Sequence, residues 1–264
     1  MNKLRDWLSL AFAYVRLNFR AHLEYRGAFI SQVAAMIIND TFWVIFWTLF
    51  FSRFPVLRGW DVKDVLTIWG IAASGFGIAA AICGNAMALP TLVVRGQLDA
   101  WMLYPRALLP HMILGRMIPS AVGDALFGYV VYVAFVHPDW QHFLLFVLFS
   151  TSAAVLFVGF FIFSGSLSFF MGNAENVAEQ WRNSLVTFST YPSTLFDGAV
   201  KVLLYTLVPA GFVTYLPVKA LHSMAWQDSL FALAGSAAIL FAGCAFFYAG
   251  LRRYESGSLM ELRG

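Results

Sequence analysis

Charge-poor apolar runs longer than 20 residues recur along this chain and leave it few ways to fold in water. Residues 65–94 and 143–170 contain no Asp, Glu, Lys or Arg. A helix needs about 20 predominantly apolar residues to cross a bilayer, so runs of this length read as membrane spans. Composition agrees: 60% of the residues are hydrophobic, 12% are charged, and mean hydropathy is +0.72. A soluble domain carries about 25% charged residues, so a water-facing surface could not be covered here. The fold class expected is an all-α membrane protein. The 264 residues allow roughly six spans with short loops, read as one transmembrane domain over 1–264. A net charge of +3 is too small to point to nucleic acid. Cys83 and Cys244 lie inside apolar runs and read as small hydrophobes.

Residues 1–24 read as an amphipathic interfacial helix rather than a signal peptide. Leu4, Leu8, Phe12, Val15, Phe19 and Leu23 recur at spacings of three and four, with Asp6, Arg20 and Glu24 on the far side. Spans follow at about 28–51, 65–94, 111–136 and 143–170, and a clear last one at about 229–251. In the second span Gly70, Ala73, Gly77 and Ala81 form a small-residue stripe suited to close helix packing. The fifth span has two readings. Hydropathy alone selects 199–217, leaving 173–195 as a connector. Alternatively the more polar 176–192 spans, and 197–222, interrupted by Pro209 and Pro217, dips into the membrane and returns.

Orientation follows from the basic residues. Placing the N-terminus inside puts Arg53, Arg58, Lys63, Lys201 and Lys219 outside, with the other 12 of the 17 Lys and Arg inside. That bias expects both termini in the cytoplasm. Trp60, Trp140 and Trp226 then sit at the outer interface, and Trp7 and Trp101 near the inner one.

No phosphate-binding loop, H-E-x-x-H or Cys-x-x-Cys is present, so no catalytic or metal site is expected. Ser164-Gly165-Ser166 lacks a histidine at matching depth for a serine protease. The loop 95–110 carries a short helical core with Leu98, Asp99, Trp101, Met102 and Leu103, suited to docking on a partner or to resting on headgroups. Asp40 and Asp124 lie near the middle of spans one and three. Buried charge of this kind lines a path or is locked to a partner such as Arg182 or a hydroxyl. Asn176, Gln180, Asn183, Thr187 and Thr190 share one stripe, which cannot face lipid if that segment spans.

Leu23-Glu24-Tyr25-Arg26, the run Arg95-Gly96-Gln97-Leu98-Asp99-Ala100-Trp101-Met102-Leu103-Tyr104-Pro105, Tyr191-Pro192, and Leu207 to Pro217 come in an order and spacing that resemble the ABC-2-type ABC transporter permeases, in the short six-span branch. The resemblance covers essentially the whole chain. It implies a permease subunit of an ATP-driven exporter in a prokaryotic cytoplasmic membrane. It also implies a second permease as homo- or heterodimer, and two separate ATP-binding subunits that hold ATP and Mg. Residues 97–103 would be the coupling helix, 176–192 the fifth span, and 197–222 re-entrant outer elements. Competing classes are a secondary transporter or channel using Asp40 and Asp124, and a non-transporting scaffold. No internal symmetry supports the former.

Overall fold

The computed structural model describes residues 3–171 and 174–254, without the side chains of Lys3, Leu4, Trp7 and Leu8. The expectations for Leu4, Trp7, Leu8 and the tail beyond Tyr254 therefore lie outside the described residues. Those residues form a helical bundle with no strand among them; one isolated bridge joins Leu57 and Trp60.

In chain order the helices are α1 (Lys3–Glu24), α2 (Arg26–Arg53), α3 (Val62–Cys83), α4 (Leu89–Val94), α5 (Leu98–Met102), α6 (Leu108–Ile113), α7 (Ala121–Val131), α8 (Trp140–Gly165), α9 (Glu175–Ser189), α10 (Ala199–Leu203), α11 (Leu216–Ser223) and α12 (Trp226–Leu251). Four helical runs are long and apolar enough to cross a membrane: Arg26–Arg53, Val62–Val94, Trp140–Phe169 and Trp226–Leu251. They coincide with the first, second, fourth and last spans read from the sequence.

The third expected span is not one helix. It breaks at 114–120 between α6 and α7, and the apolar helix after the break runs Ala121–Val136. Pro119 has no backbone N–H and cannot continue a helix through this point. The freed backbone groups find partners on the second span, which is itself distorted into a 3₁₀ turn at Gly84–Ala88. Ile118 N–H donates to Ala80 O at 3.1 Å and Asn85 N–H to Arg116 O at 3.1 Å. The Asn85 amide donates to Met112 O at 2.9 Å. Irregular backbone survives at membrane depth only where protein satisfies it in this way.

The stretch 199–217 is not a continuous helix either. Gly198 turns the chain at φ 59°, α10 ends at Leu203, and a π-helical turn at Gly211–Tyr215 follows Pro209. Of its apolar residues Leu204, Ala210, Val213 and Tyr215 are buried, whereas Val200, Val202, Leu203 and Leu207 are exposed.

Close helix crossings hold the core. At α3–α7, a Cβ on Gly77 would run into the Ala125 backbone nitrogen and lie 2.7 Å from Ala121 O; a Cβ on Gly128 would strike Ser74 Oγ and lie 2.5 Å from Gly70 O. Two members of the expected small-residue stripe, Gly70 and Gly77, thus face α7. At α8–α12, a Cβ on Gly243 would strike Gly159 O, and Ser152 Oγ donates to Ser236 Oγ at 2.8 Å. By contrast α2 is mostly open: Asp40, Val44, Trp47 and Phe51 are its buried residues.

The bundle has two distinct ends. At the near end α1 is tied on by the Tyr14 hydroxyl, 2.7 Å from His111 Nδ1, and by Asn18 Nδ2 donating to Leu114 O at 3.0 Å. Phe12, Phe19 and Leu23 of α1 stay exposed. At the far end Arg58 Nη1 donates to Thr194 O at 2.6 Å, and His222 Nε2 lies 2.7 Å from Asp64 Oδ1. Asp139 caps α8 by accepting the His142 N–H at 2.9 Å, which holds its carboxyl below the usual carboxylate range.

Candidate functional site: a carboxyl-bearing cavity

A cavity of about 560 Å³ opens between α2, α3, α7 and α9. Helix α2 supplies Met36, Asn39, Asp40 and Trp43; α3 supplies Trp69, Ala72, Ala73 and Phe76. Met87 of the 3₁₀ turn and Asp124 of α7 complete the inner wall. From α9 and its end come Glu179, Arg182, Asn183, Val186, Thr187, Thr190 and Tyr191.

Asp40 and Asp124 are the deepest polar groups, only 3% and 4% exposed. The two carboxyls face each other. Asp40 Oδ1 accepts from Asn39 Nδ2 at 3.3 Å, while Oδ2 is buried with no hydrogen-bond donor. The sequence placed Asp124 at mid-span. The break at 114–120 puts it instead in the first turn of α7, where the positive end of the helix dipole favours a negative charge by about 0.3–1 kcal/mol. Each aspartate was expected to line a path or to be locked to a partner such as Arg182. Both line the cavity, where they face each other.

Arg182 lines the same cavity and donates from Nη1 to Met87 O at 3.3 Å. Glu179, one turn earlier, is its nearest acidic influence. The walls are aromatic. Trp43 and Trp69 stack with centroids 5.4 Å apart, and Trp47 meets Tyr191 edge to face at 5.9 Å. Trp69 Nε1 is buried without a partner.

Of the expected polar stripe, Asn183 and Thr187 line the cavity and Thr190 closes its end; Asn176 and Gln180 are exposed beyond it. Glu179, Asn39 and the aromatic walls were not singled out from the sequence as site residues. Only their spacing from Asp40 and Arg182 on shared helix faces could have marked them.

At the near end the loop 95–110 forms α5. Leu98 is wholly buried. Trp101 is half-buried: its ring meets His111 edge-on at 5.2 Å and closes over Gly115, where a Cβ would strike it. The Asp99 carboxyl lies beside the Tyr254 hydroxyl after α12. Met102 and Leu103 are exposed, Leu103 at 85%. The loop thus presents Met102 and Leu103 outward and is anchored by Leu98 and Trp101.

The described residues form an apolar helical bundle with a polar cavity on one open face. The chain belongs to the ABC-2 family transporter proteins: that family's model matches residues 37–258. It is an integral membrane protein of that family. No curated protein and no solved structure matches it.

Proposed function

We infer that this chain is the permease subunit of an ATP-driven exporter, forming the substrate path and working through separate ATP-binding subunits. The observation that carries the reading is the cavity with its open side. Asn176, Gln180, Asn183 and Thr187 on α9 are exposed, and a polar face at that depth cannot look at lipid. A second permease, identical or homologous, laid across α2 and α9 encloses the path between the two copies.

In this reading the near end lies in the cytoplasm, both termini included, of a prokaryotic inner membrane. Helix α1 lies in the interface. Ala121–Val136 and α9 complete six spans. Helix α9, with 15 residues, is about 22 Å long, so its neighbours and the turn at 190–191 make up the depth. Residues 197–222 form the re-entrant cap at the outer surface. ATP and Mg bind the partner subunits. Their closure pushes on α5, and the bundle switches between two states that open the path to opposite sides.

Two experiments test this. Leu103→Cys should resist a membrane-impermeant thiol reagent in intact cells while Trp140→Cys, at the exposed far end, reacts. The opposite pattern inverts the orientation. The purified chain alone should not hydrolyse ATP, and a stoichiometric ATPase should co-purify with it from its native membrane. ATP hydrolysis by the chain alone overturns the reading. The juxtaposition of Asp40 and Asp124 favours one rival, a secondary transporter with an ion site there; ion-driven uptake into vesicles without any ATPase would select it.

A further inference from the structure

We propose that a second cavity, at the far end of the bundle, holds the phosphate headgroup of an anionic phospholipid whose acyl chains lie against α10. This goes beyond the permease reading and stands whether or not that reading does.

The cavity has a volume of about 270 Å³. The turn between α2 and α3 supplies Trp60, and α3 supplies Asp64. Lys201 comes from α10 and Tyr205 from the residues after it; α11 supplies Lys219 and His222.

Charge and hydrogen bonding in this cavity call for an anion. Asp64 is its acidic group, and both carboxylate oxygens are taken. Oδ1 lies 2.7 Å from His222 Nε2, and Oδ2 accepts the Asp61 N–H at 3.1 Å. Lys219 Nζ donates to Asp228 Oδ1 at 2.9 Å. Lys201 is left over: its ammonium has no hydrogen-bond or acidic partner among the described residues. The Tyr205 hydroxyl and the Trp60 indole N–H, which line the same cavity, likewise have none there. Tyr215, by contrast, donates its hydroxyl to Phe188 O at 2.7 Å. A cation and two neutral donors are therefore present with no carboxylate left for them, and an anionic oxygen group is their complement.

The surroundings select a lipid over a soluble anion. Val200, Val202, Leu203 and Leu207, the apolar neighbours of Lys201 in the chain, are exposed. An apolar apron around a lysine suits acyl chains lying beneath a bound headgroup. Trp140 and Trp226, exposed at the starts of α8 and α12 at the same end, mark the headgroup level. A volume of about 270 Å³ lies below the range that encloses a drug-sized molecule, so it takes a headgroup and leaves the chains outside. The headgroup should carry net negative charge. A choline would set another cation beside Lys201 and Lys219.

The test titrates the full chain, in a neutral maltoside detergent, with radiolabelled dioleoylphosphatidylglycerol. Binding should saturate and be at least about tenfold tighter than that of dioleoylphosphatidylcholine. Lys201→Gln, at an exposed position, should weaken phosphatidylglycerol binding at least about tenfold while the melting temperature in lipid-free detergent stays parental. Tyr205→Phe keeps the ring and removes the hydroxyl, and should weaken binding about threefold or more. Arg53→Gln, exposed at the end of α2 and outside the cavity lining, should bind as the parent does. Equal binding of the two lipids overturns the proposal, and that comparison is made on the unmutated chain. So does full binding by Lys201→Gln, or a loss in Arg53→Gln as large as in Lys201→Gln, which would mean diffuse surface charge. Glycerol phosphate that displaces the lipid at equal molar concentration would assign the cavity to a soluble phosphate ester and overturn the lipid. ATP hydrolysis by the chain alone sinks the permease reading and leaves this site standing, because the titration involves no transport.

Discussion

Gly77→Val is expected to leave little folded protein in the membrane. A Cβ at this position collides with the Ala125 backbone nitrogen and lies 2.7 Å from Ala121 O. Both obstacles are main chain, so no side-chain rotation relieves them. Overpacking a well-packed site costs about 1–3 kcal/mol and occasionally more; a clash of backbone against branched side chain belongs at the upper end. About 3 kcal/mol shifts the folded-to-unfolded ratio more than a hundredfold. The effect also reaches the cavity, because α7 carries Asp124 and is pressed onto α3 at this crossing. Gly27→Val is the control: nothing lies within 4 Å of its Cβ. Yield of monodisperse protein and melting temperature are the measurements. Parental values for Gly77→Val would show that α3 and α7 can part without loss.

Leu103→Asp is expected to detach the ATP-binding partner while the chain stays folded. The side chain is 85% exposed on the near-end loop, so its replacement disturbs nothing inside the bundle. An apolar anchor at a protein interface is typically worth about 2 kcal/mol or more, which weakens association about thirtyfold. Leu98→Ala should behave in the opposite way. That residue is fully buried, and truncating it costs about 2–5 kcal/mol of stability. Trp101→Ala should show both effects, since its ring packs on His111 and Gly115. Size-exclusion of the assembled complex and ATPase activity report association; melting temperature reports stability. A complex of Leu103→Asp as tight and active as the parent would assign this loop to the lipid headgroups.

Much of this fold is legible in the sequence, and what is not has a physical reason. The spans at 26–53, 62–94, 140–169 and 226–251 are predominantly apolar, so averaging hydropathy over a window finds them. The same averaging hides the break at 114–120, where Pro119 is one residue among apolar neighbours and the repair comes from Asn85, distant in sequence. It also makes a span of 199–217, where Pro209 and the π-helical turn at Gly211–Tyr215 interrupt the helix. Asp40 and Asp124 stand out in the sequence as misplaced charges. That they meet could not be read, because it depends on α7 restarting at Ala121 and on the α3–α7 crossing. In the loop 95–110 the apolar residues are plain, but a five-residue helix has too little periodicity to say which of them point inward.

The cross-bonded breaks at 84–88 and 114–120 have a consequence for how this chain tolerates change in length. Each residue in a helix turns the chain by about 100° and advances it about 1.5 Å. In an ordinary span a single deletion is absorbed by sliding or fraying at a loop. Here Asn85 N–H is matched to Arg116 O and Ile118 N–H to Ala80 O, so the two spans share one reading frame. A deletion on either side unseats both bonds and rotates Asp124 away from Asp40. Only a paired change, one in each segment of the joint, restores the frame, so the two segments can alter in length only together.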